Sequence, residues 1–173
     1  MLRAAVLATT LLLALAACES EEPADDAEPN TTAIENGLAQ LFAGDHPGDR
    51  ETEDGRCFAA ELIQLTTPDE LRRAGVLDAS YDVVEELPTL PEDVAQAWVD
   101  AQFACTDFVE ASTRAQEKVT KGDLDALAYS ACLRQALSED QVRSATVASL
   151  TGDWESPEVA ELTSAQTACA EGG

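Results

Sequence analysis

The sequence predicts an all-α fold, a small helical domain over residues 31–171 built from two similar, disulfide-stapled halves. Three observations predict it. Helix-capping signals recur ahead of apolar residues at helical spacing, no segment shows the alternation of a strand, and cysteines recur at matched places in the two halves.

The elements follow in order. Thr32-Ala-Ile-Glu35 reads as a capping box, in which hydroxyl and carboxylate satisfy backbone N–H groups that a first helical turn leaves without partners. It opens a helix with Ile34, Leu38, Leu41 and Phe42 on one face, stopped by Gly44. The stretch from Asp45 to Gly55 is polar throughout and reads as a loop, with the next helix running from about Cys57 to Leu65. Thr67-Pro-Asp-Glu70 is a second capping box, with proline at the first helical position, where its missing N–H costs nothing. This short helix ends near Gly75. An acidic loop through Asp82, Glu85 and Glu86 leads to Pro91, which opens the longest expected helix, to about Ala111. Its Val94, Trp98, Ala101, Cys105 and Phe108 fall on one stripe, so Trp98 is read as core. Gly122-Asp123 starts another helix, with Leu124, Leu127, Ala131 and Leu133 as its apolar residues. Ser138-Glu-Asp-Gln141 is a third box, whose helix ends at Gly152. Ser156-Pro157 caps the last helix, with Val159, Leu162 and Cys169 inward.

Ahead of this domain the chain has a different character. One cation, Arg3, precedes an uncharged, mostly apolar run from Ala4 to Ala16. That run is shorter than the roughly 20 residues a membrane-spanning helix needs, and it fits the apolar core of a secretory signal. It ends in Leu15-Ala16-Ala17-Cys18, which resembles the lipobox of bacterial lipoproteins at all four positions. The resemblance covers residues 1–18 only. It implies that residues 1–17 are removed as a signal peptide and that the Cys18 thiol carries a diacylglyceryl group. Two acyl chains make a stable anchor where one is marginal, which implies attachment at the outer face of the plasma membrane. Residues 19–30 hold six acids, two prolines and no hydrophobe larger than alanine, so they read as a disordered tether. Random-coil statistics give it a reach of roughly 20 Å.

The two halves of the domain resemble each other. Thr67 to Val76 aligns without gaps on Ser138 to Val147, and Ala101-Gln-Phe-Ala-Cys105 matches Ala165-Gln-Thr-Ala-Cys169. The order of cysteine, capped helix, loop, helix and Ala-Gln-x-Ala-Cys thus occurs twice, over about 57–105 and 132–169. Apart from Cys18, four cysteines remain, and an even set in an exported domain reads as a disulfide framework with three connectivities. Duplication favours Cys57–Cys105 and Cys132–Cys169. A metal or redox cluster is the rival, but there is no Cys-x-x-Cys and the single histidine, His46, lies elsewhere.

The formal charge is −24, and loss of Arg3 with the signal makes it one unit more negative. A chain this acidic repels polyanions, which argues against nucleic acid and against electrostatic docking on anionic lipid. It suits a cationic or protein partner, or solubility alone. Catalytic motifs are not recognisable: there is no HExxH, phosphate loop or dinucleotide fingerprint, and acids are too abundant for any pair to stand out. No cofactor is expected. The run from Asp49 to Gly55 offers Asp49, Glu51, Glu53 and Asp54 as weak cation ligands, but its glycine does not fall at the sixth position of an EF-hand loop. The expectation is therefore a surface-tethered binding or scaffolding module of the cell envelope. The alternative is an envelope enzyme or enzyme accessory with a carboxylate-lined cleft, which convergent acids of raised pKa would favour.

Overall fold

The computed structural model describes residues 28–172, and the fold is all-α. The expected signal peptide, Cys18 and tether residues 19–27 lie outside the described residues; Glu28 to Asn30 are exposed and non-helical. Eight helices follow: α1 (Thr31–Ala43), α2 (Asp49–Leu65), α3 (Pro68–Arg73), α4 (Glu92–Cys105), α5 (Phe108–Thr120), α6 (Ala126–Ala136), α7 (Glu139–Leu150) and α8 (Pro157–Glu171). Among the described residues extended pairing is limited to one antiparallel bridge between Leu77 and Val83. No helix among them is long and apolar enough to cross a membrane.

Helix boundaries follow local chemistry. The Thr67 and Ser138 boxes form as expected, with reciprocal bonds to Glu70 and Gln141, and Ser156 caps α8 through the Val159 N–H. Gly44 and Gly152 sit past their helices at φ near +80°, where a side chain would be strained.

Four expectations are corrected. The cap of α1 is Asn30, which accepts from the Ala33 N–H, not Thr32. The stretch from Asp49 to Gly55 is helical, because the Glu51 carboxylate reaches back to the Gly48 N–H and nucleates α2 eight residues early. The expected long helix from Pro91 breaks after Cys105, where Asp107 accepts from the Glu110 N–H and caps a separate α5. Finally, α6 starts at Ala126 under Asp125. This phase leaves Leu127 84% exposed and Ala131 exposed, and buries Tyr129 with Leu133 instead.

The main helix contacts run in series: α1 on α2, α2 on α4, α4 on α7, α7 on α8, α8 on α6 and α6 on α5. The main core lies among α1 to α4 and the segment 74–90, with Ile34, Leu38, Phe58, Leu62, Leu71, Val76 and Leu77 buried. Phe58 stacks on Phe42 at 4.1 Å and lies against Trp98 at 4.6 Å, which places Trp98 in the core. A much smaller core joins Tyr129, Leu133 and Cys169, with Val109, Leu124 and Leu137 around them.

Two disulfides join Cys57 to Cys105 and Cys132 to Cys169, with Cα atoms 5.7 and 5.6 Å apart. Each connects the second and fourth helix of a set of four. In both sets the first helix packs on the second, and the third opens with a capping box. The sets differ in their third helix, six residues in α3 and twelve in α7. In the first set, Val76, Leu77 and Leu90 from the segment after α3 supply core contacts.

Candidate functional site

The four acids considered as cation ligands lie on the first two turns of α2, where helical phase separates them. Asp49 and Glu53, four residues apart, are exposed. Glu51 and Asp54 face α5 and are claimed by cations. Asp54 is buried, only 6% exposed, and pairs with Arg50 Nε and Arg114 Nη2, each at 3.1 Å. Glu51 accepts from Lys118 Nζ at 2.9 Å, with Arg114 Nε at 3.8 Å. Glu110 closes the network at 3.8 Å from Arg50 and 4.0 Å from Arg114. Among the described residues no group of three or more histidine, cysteine or acidic side chains is placed to hold a metal. The suggested four-carboxylate site does not assemble, since a helix puts its members on different faces.

This network lines a cleft of about 380 Å³ between α2 and α5, together with Phe42 and Gln102. Its electrostatics oppose acid catalysis. The hydrogen bond from Lys118, assisted by the Glu51 backbone N–H and by the Lys118 and Arg114 charges, outweighs burial and lowers the Glu51 pKa to about 2. A general acid working near neutrality needs the opposite shift. His46 is exposed between α1 and α2.

A second and larger concavity, about 640 Å³, opens where the two sets of helices meet. The ends of α4 and α6 and the starts of α5 and α7 converge there. Phe103, Phe108, Val109 and Leu137 line it, and Cys105 places the first disulfide at its edge. Phe103 and Phe108 are partly buried and belong to neither hydrophobic core. Arg134 pairs with Asp107 across it at 3.3 Å. Burial pushes the Asp107 pKa up, but its bonds from the Glu110 and Val109 N–H groups and the Arg134 guanidinium prevail and lower it.

Sequence reading missed both features. The Arg50–Asp54 and Glu110–Arg114–Lys118 spacings, each of four residues, were legible as charged helix faces. Nothing local announced that the two faces meet. No protein family, characterised protein or solved structure matches this chain.

Proposed function

We propose that this chain is a bacterial lipoprotein that acts as a binding or scaffolding module, tethered through Cys18 to the outer face of the plasma membrane. The observation that carries the reading is Leu15-Ala16-Ala17-Cys18 at the end of a short apolar run, followed by an acidic spacer. The two disulfides support it, because such bridges persist in oxidising compartments outside the cytosol. The two sets of four helices support descent from one duplicated module. Binding is favoured over catalysis because the carboxylates gathered at the α2–α5 cleft are neutralised by arginine and lysine, and Glu51 has no proton to donate at neutral pH. The cationic or protein partner suggested by the net charge belongs to this same reading.

Anchoring is tested by Cys18→Ala. The variant should take up no labelled palmitate and should leave the membrane fraction or accumulate as precursor; labelling and retention equal to the unmodified protein would refute the anchor. The module reading is tested with His46→Ala, which should leave partner capture by in-cell crosslinking unchanged. Turnover abolished by that substitution would make the protein an enzyme.

A further inference from the structure

Beside the concavity at the junction of the two helix sets lies a second cleft of about 520 Å³, lined by Gln96, residues of α7, Asp153, Ser156 and the start of α8. Arg143 stands between the two: it lines the second cleft and lays its guanidinium 4.4 Å from the centre of the Phe103 ring, which lines the first. Nη1 of Arg143 is held by Asp100 at 2.9 Å and Nε by Glu139 at 2.8 Å, so this bridge is fixed in place.

The chemistry of the combined groove is uneven. At one end Phe103, Phe108, Val109 and Leu137 form an apolar floor. The two clefts are lined by five carboxylates, Asp107, Glu139, Asp140, Asp153 and Glu158, against two guanidinium groups, those of Arg134 and Arg143. Both guanidiniums are already engaged by carboxylates, so the groove carries excess negative charge beside an apolar pocket. Two phenylalanine rings outside both cores add nothing to either core, yet an apolar side chain from outside would find them as a partner.

We propose that this groove docks a cationic polypeptide segment of a partner protein, with an apolar or aromatic side chain seated between Phe103 and Phe108 and its basic residues along the carboxylates of α7 and α8. The proposal rests on the binding-module reading and names its site and partner chemistry. A second copy of this chain does not fit, because its charge is strongly negative as well. Rim charges of this kind steer encounter and select the partner's sign, while the buried aromatic anchor carries most of the affinity.

The test is fluorescence anisotropy with the full chain in detergent and a labelled synthetic peptide alternating arginine with leucine and phenylalanine. The full chain should bind this peptide, and should reject both a glutamate-for-arginine and an alanine-for-apolar version. Phe103→Ala with Phe108→Ala should weaken binding about tenfold. Asp140→Asn with Asp153→Asn should weaken it about threefold and flatten its salt dependence. These two carboxylates lie at the surface, so the second pair of substitutions keeps the test valid should the phenylalanine variant fold poorly. Trp154→Ala, at a ring exposed outside the groove, should change nothing. Equal binding of the alanine-for-apolar peptide, absence of binding to the full chain, or insensitivity to both paired variants would overturn the groove. If in-cell capture of a partner persists in the Phe103→Ala, Phe108→Ala protein, the groove fails while the module reading stands.

Discussion

The two disulfides should differ in what they hold. Their sequence separations, 48 and 37, give nearly equal loop-closure contributions, about 4 kcal/mol each in the chain-entropy account. The cores they staple are far from equal. The first holds the buried side chains of Ile34, Leu38, Phe58, Leu62, Leu71, Val76, Leu77 and others, whereas the second rests on Tyr129 and Leu133 beside Cys169 itself. At about 1.5–3 kcal/mol for each large apolar side chain buried, Tyr129 and Leu133 together contribute an amount comparable to their bridge. Removing Cys132–Cys169 therefore takes away a larger share of what stabilises α6 and α8 than removing Cys57–Cys105 takes from α2 and α4.

The expected result is a local opening. In Cys132→Ala with Cys169→Ala, native-state hydrogen exchange by mass spectrometry should show lost protection in peptides covering 126–136 and 157–171. Peptides from α1, α2 and α4 should stay near the levels of the unmodified protein. Cys57→Ala with Cys105→Ala should lower stability by about 2–4 kcal/mol yet leave one cooperative core. Equal loss of protection in α2 and α4 in the first variant would refute the reasoning, as would unchanged protection in α6 and α8.

Three further outcomes follow from the contacts between and within the sets. Arg114→Met leaves buried Asp54 with Arg50 alone, so it should destabilise by about 2 kcal/mol in chemical denaturation, below the 3–5 kcal/mol of a buried pair fully broken. The lowered pKa of Glu51 means its contribution is present above its unfolded value near 4.5 and is lost as pH falls toward about 2; Glu51→Gln should flatten the melting-temperature profile in that window and nowhere above it. Gly55→Ala places a Cβ 2.5 Å from the Ala39 carbonyl oxygen, backbone that cannot step aside. A loss of about 1–3 kcal/mol is expected in denaturant titration, and a neutral result would mean that α1 and α2 can separate freely.

What was legible in the sequence was local or repeated. The Thr67, Ser138 and Ser156 caps need only their own following turn, and the disulfide pairing was readable because one order of parts occurs twice. The start of α2 was not legible, because Asp49 to Gly55 is too polar to show apolar periodicity. Those turns bury Asp54 where Arg114, sixty residues later, joins Arg50 in neutralising it. Such a helix is specified by tertiary pairing more than by its own pattern. In α6 the error was one of phase. Leu127 and Leu133 lie six residues apart, about 120° round the helix, so one inward stripe does not hold both.

The break between α4 and α5 matters most for function. The apolar spacing from Val94 through Cys105 to Phe108 keeps helical period across Thr106 and Asp107, so periodicity alone extends the helix. A competing signal stood in the same residues, an aspartate three positions ahead of a glutamate, and in the structure the Asp107 cap wins. The consequence is geometric. In a continuous helix Phe108 would extend the stripe that buries Trp98. With the chain restarted at Asp107 it lines the inter-set groove with Phe103, where neither core encloses it. The same carboxylate that caps α5 pairs with Arg134 of α6, tying the break to the second set. Asp107 thus terminates one stripe, starts the next helix and fixes the far wall, and the apolar floor of the groove exists because these three roles fall on one residue.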